Sequence, residues 1–143
     1  MLGELNPTEI EGLLHENVIG RIGCHAFGRT YVVPITYAYD GDAVYARSAE
    51  GMKVHMMREN PRVCFEVDVM DGMANWESVI ASGVFQELHG DDAHERFLWL
   101  ADELASRLEG PPGETAHPNA DAEPGVVYKI ILEDKQGRFE RRI

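Results

Sequence analysis

No stretch of the 143-residue sequence approaches the roughly 18 consecutive apolar residues that a membrane-spanning helix needs, so no membrane partner is expected. Positive charge is scarce: 13 Lys and Arg stand against 25 Asp and Glu, a formal net charge of −12. Sequence-independent nucleic-acid binding works by neutralising phosphates with Lys and Arg, and no basic cluster offsets the deficit. Nucleic acid is therefore not an expected partner. Cysteine is limited to Cys24 and Cys64, in strand-like segments far apart, and the N-terminus lacks the basic-then-apolar pattern of a secretory signal. The expectation is a cytoplasmic protein with reduced thiols. GxxxxGK[ST] and GxGxxG are missing, and His15, His25, His55, His89, His94 and His117 show neither HExxH nor another metal-ligand spacing, so no metal is expected. No carboxylate pair stands out as an acid–base couple, and there is no internal repeat.

What is present is a globular composition, 44% hydrophobic, and a length that suits a single domain over residues 1–143. The most informative segment is Ala43–Pro61, AVYARSAEGMKVHMMRENP. It reads as a strand over Ala43–Ala46, a turn of small and polar residues, and a helix of about two turns closed by Asn60-Pro61, because the residue before proline avoids the helical region. Ser48 is the expected N-cap, and Gly51 lets backbone N–H groups approach a ligand. Lys53 then stands out. A cation in the first helical turn opposes the macrodipole unless an anion shares the site, so strand, small-residue turn and lysine together suggest a phosphate cradle. The competing reading is a solvated lysine on a connecting helix.

Along the rest of the chain, Leu2–Asn17 carries a helix, with Asn6-Pro7-Thr8-Glu9 as its start and Ile10, Leu13 and Leu14 at helical spacing. Val18–His25 alternates as a strand, Gly28-Arg29 is the turn, and Thr30–Tyr39, β-branched and aromatic almost throughout, is the strongest strand. Pro34 within it cannot donate a ladder hydrogen bond, which calls for an edge, a bulge or a ligand. Asp40-Gly41-Asp42 is a hairpin turn. Arg62–Val69 and Trp76–Leu88 are further strands, the second with Gly83 as a bend or bulge. Asp91 or Asp92 caps a helix to about Leu108, with Phe97, Leu98, Ala101, Leu104, Ala105 and Leu108 as its buried stripe. Glu109–Gly125, with four prolines, is a long loop. Val126–Leu132 and Arg138–Ile143 close the chain as one strand or two. Cys64, between Val63 and Phe65, is assigned to the core. Short turns between sequential strands give a mainly β protein with helices: an antiparallel barrel of six to seven strands.

The ordered segments GRIGCHAFGRTYVVPITYAYDGDAVYARSAEGMK, ENPRVCFEVD, WESVIASG and Gly137-Arg138 resemble the pyridoxamine 5'-phosphate oxidase-like flavoproteins. These are FMN-binding split barrels that include the Nim-type nitroimidazole-resistance proteins. The resemblance implies a homodimer with two FMN molecules at the subunit interface. It places Pro34, Ile35 and Thr36 along the isoalloxazine ring, Tyr45, Arg47 and Ser48 beside the ring and ribityl chain, and Lys53 on the phosphate. Trp76, Ser78 and Val79 match a strand that reaches the flavin edge. Where the family commonly has G-R-K, this chain has Gly51-Met52-Lys53, so Arg47 or Arg58 would supply the missing guanidinium.

The function implied is an FMN-dependent oxidoreductase acting on a small organic molecule. The flavin carries such chemistry, which agrees with the absence of an acid–base constellation. His55, two residues after Lys53, is a candidate contact to substrate or flavin. The alternative from another class is a non-catalytic module that stores or senses flavin, haem or a deazaflavin, with His55 or His25 as the axial ligand if haem.

Overall fold

A computed structural model describes residues 1–108 and 125–142. Its strands are β1 (Leu2–Glu4), β2 (Ile19–Ala26), β3 (Arg29–Thr36), β4 (Ala38–Tyr39), β5 (Ala43–Ser48), β6 (Arg62–Met70), β7 (Trp76–Glu87) and β8 (Val126–Glu140). Its helices are α1 (Pro7–Glu16), α2 (Met52–Glu59) and α3 (Gly90–Arg107). All strand pairings are antiparallel, in the order β3-β2-β6-β7-β8-β5-β4 with β1 added beside β8.

That order explains the shape. β3 and β4 lie at opposite ends of the path, yet only Tyr37 separates them in sequence. The sheet must therefore curl until its ends meet, and because β3 and β4 are not paired, a split remains between them. Tyr37 pins this corner: it is fully buried, its N–H donates to the Val18 carbonyl at 2.8 Å, and its hydroxyl donates to the Leu14 carbonyl at 2.8 Å. The expected single strand Thr30–Tyr39 is thus two. Its β-forming composition is uniform, but the chain changes pairing partner at Tyr37.

The expected split barrel is present, with eight strands among the described residues rather than six or seven. Leu2–Glu4 is the three-residue β1, paired with Arg138–Glu140, and the first helix starts only at Pro7. Asn6 caps it as expected, in a reciprocal capping box with Glu9. The β2–β3 turn is Phe27-Gly28, both at positive φ, rather than Gly28-Arg29. Val126–Glu140 is one continuous strand. The Glu109–Gly125 loop lies outside the described residues except for Gly125.

Three further readings are corrected. Ser48 is the last residue of β5 and Gly51 is the N-cap of α2, without a side-chain cap bond. Strand pairing with Val126 carries β5 two residues further than its apolar run. The N-cap of α3 is His89, with Asp91 and Asp92 inside the first turn; Phe97 and Leu100 are its buried residues, whereas Leu98 is 51% exposed. The apolar stripe is rotated because Trp99 and Phe97 both turn toward the barrel, against Tyr45 and Arg47 respectively. Cys64 points outward, while its neighbours Val63 and Phe65 are buried.

Gly83 does mark a bulge: the β7–β8 register shifts between Ala81 and Gly83. A Cβ there would sit 2.3 Å from Cγ2 of the fully buried Ile130. Gly83→Ala is expected to destabilise the fold by at least about 1 kcal/mol through overpacking, measured by urea unfolding. An unchanged midpoint would contradict this packing.

Candidate ligand-binding site

The split supplies a cleft of about 310 Å³. One wall is the edge strand β3, through Pro34, Ile35 and Thr36. Pro34 sits where a missing N–H costs no ladder bond with a further strand. The opposite wall is α3, through Phe97, Leu100, Ala101, Leu104 and Leu108, and the cationic end carries Arg47 and Lys53. The sequence reading anticipated the β3 and α2 residues. It missed the α3 wall, for which the only signal was an apolar helical stripe that equally describes core packing.

α3 is held across the split by aromatic and polar clasps. The Arg96 guanidinium lies 4.3 Å from the centre of the Tyr45 ring and 5.1 Å from that of Trp99, and 3.7 Å from Asp40 Oδ2. Tyr45 and Trp99 meet edge to face at 5.3 Å. At the other end Arg107 donates to the His15 carbonyl. Tyr45 is itself buried and does not line the cleft; it supports the helix that does.

Lys53 makes no ion pair among the described residues, and burial pulls its ammonium below the usual lysine range, with the Cys24 thiol a smaller opposing influence. Near the same end of the barrel, the Ser48 hydroxyl is buried and has no hydrogen-bond partner among the described residues. A partly desolvated cation and an unsatisfied hydroxyl beside a helix N-terminus match the donor set of an anionic group. Of the two arginines expected to supply a guanidinium here, Arg58 is committed elsewhere. It bonds Glu50 at 2.8 Å through two nitrogens and Glu87 at 2.8 and 3.0 Å. Arg47 remains at the cleft, 5.3 Å from the Phe97 ring centre. Met52 is 46% exposed and its sulfur accepts from Arg29 at 3.4 Å, so a guanidinium from the β2–β3 hairpin also lies at the start of α2.

The remaining candidates are placed elsewhere. Trp76 and Ser78 line shallow clefts with Glu66, Asp68 and Glu77, and Trp76 Nε1 donates to Glu140 at 3.1 Å. The Val79 side chain is fully buried in the core. Within one chain none of these three lines the Lys53 cleft. His55 is exposed, 3.7 Å from Glu50 Oε2, and His25 contacts Thr30 Oγ1 at 2.9 Å. No helix among the described residues is long and apolar enough to cross a membrane.

Residues 6–138 match the profile of the pyridoxamine 5'-phosphate oxidase family. The chain belongs to that family. An uncharacterized protein of Rhizobium meliloti is 34% identical over 139 residues, spanning 94% of this chain and 92% of that protein. Among solved structures, a FAD-binding protein from Mesorhizobium loti shares 30% identity with a TM-score of 0.78, covering 97% of this chain and 98% of the other. A FAD binding protein from Mycobacterium smegmatis shares 25% identity with a TM-score of 0.66, covering 96% and 98%. A candidate 5-nitroimidazole antibiotic resistance protein from Bacteroides thetaiotaomicron, at 20% identity, TM-score 0.72 and coverage of 97% and 87%, shares the fold. The split barrel is therefore a family feature, and the cleft lies in its defining gap.

Proposed function

We propose that this pyridoxamine 5'-phosphate oxidase family member binds FMN in the cleft and uses it as an oxidoreductase on a small organic molecule. The observation that carries the reading is Lys53: a partly buried ammonium lining the cleft, without an ion-pair partner among the described residues. In this reading Lys53, Ser48 and Arg47 hold the phosphate, while Pro34, Ile35 and Thr36 run along the ring. Bound there, a flavin supplies the electron transfer, and the chain orients it and shields it from water. The FAD-binding relatives in Mesorhizobium and Mycobacterium support a flavin. They also favour FAD as the second reading for the same phosphate site.

The proposal includes a homodimer. Ile19, Val32 and Ile80 are 59%, 62% and 52% exposed on the outer face of the sheet, joined by the β2–β3, β2–β6 and β6–β7 ladders. These exposed apolar side chains are set around the Arg21–Glu66 ion pair, and a second copy of the chain would cover this mixed face. Trp76 and Ser78 from this region, and Val79 through its main chain, would then serve the partner's flavin. Reduced Cys24 and Cys64 fit a cytoplasmic location.

Fluorescence-quenching titrations with FMN and with riboflavin, which lacks the phosphate, test the site. FMN is expected to bind at least about tenfold more tightly, the value of one charged contact. Equal affinities would remove the phosphate from Lys53. Consumption of a reduced nicotinamide with a nitroaromatic or quinone acceptor tests the activity; tight FMN binding without turnover would favour a non-catalytic flavin module.

A further inference from the structure

Tyr128 lies on β8 directly opposite Ala46 of β5, and Ser48 lies opposite Val126, so Tyr128 and Ser48 are diagonal neighbours on one face of the ladder. That face is interior. Tyr128 is 0% exposed, and its hydroxyl, like that of Ser48, is buried and has no hydrogen-bond partner among the described residues. The two hydroxyls are close enough for Ser48 to lower the phenol's proton affinity slightly, but burial dominates and pushes Tyr128 well above the usual tyrosine range. Cys24 offers no relief, because its thiol donates to the Tyr31 carbonyl at 3.7 Å. Cys24 does locate the pair: it influences both Tyr128 and Lys53, so phenol, thiol and ammonium share one end of the barrel.

Counting donors gives the consequence. Each hydroxyl carries one proton to donate. A bond between them satisfies one donor and leaves the other without an acceptor, and a buried donor left unsatisfied is costly. The phenol is the more acidic partner and takes the donor role, so the unsatisfied proton is that of Ser48. An acceptor arriving beside Ser48 completes both groups together. Resting on the flavin reading above, we infer that Tyr128 is a positioning residue for the cofactor phosphate: when the phosphate reaches Ser48, the Tyr128 hydroxyl donates to Ser48 Oγ and aims the Ser48 proton at a phosphate oxygen.

The test is a double-mutant cycle on the full chain, reading FMN dissociation constants by fluorescence quenching for wild type, Tyr128→Phe, Ser48→Ala and the double variant. Tyr128→Phe is expected to weaken FMN binding several-fold and Ser48→Ala about tenfold, with the double variant no weaker than Ser48→Ala alone. The apo melting temperature of Tyr128→Phe should match or exceed wild type, because a buried unsatisfied hydroxyl is removed. Unchanged FMN affinity in Tyr128→Phe, an equal effect of that change in the Ser48→Ala background, or a lowered apo melting temperature would each overturn the inference. Wild-type protein that fails to bind FMN would overturn the flavin reading and this inference with it, whereas normal wild-type binding with an unaltered Tyr128→Phe variant overturns the inference alone.

Discussion

Lys53→Ala is expected to weaken FMN binding by about 1.5–3 kcal/mol, the usual worth of a hydrogen bond to a charged group, or roughly tenfold to a hundredfold and beyond. Arg58 cannot stand in for it, being held by Glu50 and Glu87. The same residue should behave oppositely in the apo protein. Burial lowers the Lys53 pKa relative to the unfolded chain, so folding disfavours its charged form. The penalty is present in full below the folded pKa and fades as pH rises through that value toward the ordinary lysine range. Lys53→Met, which keeps the apolar stem and removes the charge, is therefore expected to raise the apo melting temperature at pH 7. The gain should shrink in alkaline solution. A site residue that costs stability and contributes affinity is the usual signature of function. A Lys53→Met protein that is less stable than wild type, with FMN affinity intact, would place Lys53 among structural residues.

Phe65→Ala should unfold the protein most readily, at about 3–5 kcal/mol for deletion of a fully buried aromatic. Phe65 is 0% exposed and meets Tyr37 edge to face at 5.0 Å between ring centres. Its ring also fills the space above Gly20, where a Cβ would lie 2.5 Å from Cζ. Because Tyr37 is the single residue linking the two ends of the sheet, the cavity left by Phe65 should loosen the split as well as the core. Urea unfolding gives the stability, and hydrogen exchange at Tyr37 and Val18 gives the local effect. A cost below about 1.5 kcal/mol would show that the surrounding side chains collapse into the space, and that Tyr37 is held by its hydrogen bonds to Val18 and Leu14 alone.

Much of the fold could be read from local chemistry. The Asn6–Glu9 capping box, the Gly83 bulge, the Asp40 turn and the antiparallel ladder all follow from short-range rules. What could not be read was set by distant partners. The break at Tyr37 depends on β3 and β4 belonging to opposite ends of the sheet, a fact of topology that a uniformly β-forming run cannot express. β1 is three residues that become a strand only because β8 extends far enough to receive them. The outward turn of Cys64 follows from pairing parity rather than from its apolar neighbours. The site divided in the same way. Lys53 and Pro34 stood out because each is locally unfavourable without a ligand, whereas the α3 wall and Tyr128 carry ordinary core residue types, and only their packing reveals a role. Trp76, Ser78 and Val79 cannot be joined to the Lys53 cleft within one chain; the homodimer in the proposed function is what would connect them.

The most direct test of flavin binding at the split is the visible absorbance spectrum of freshly purified protein, followed by identification of the released cofactor by chromatography and mass. A yellow protein with flavin bands, releasing FMN in near-stoichiometric amount, is the predicted result. A colourless protein that also fails to take up added FMN or FAD would contradict it.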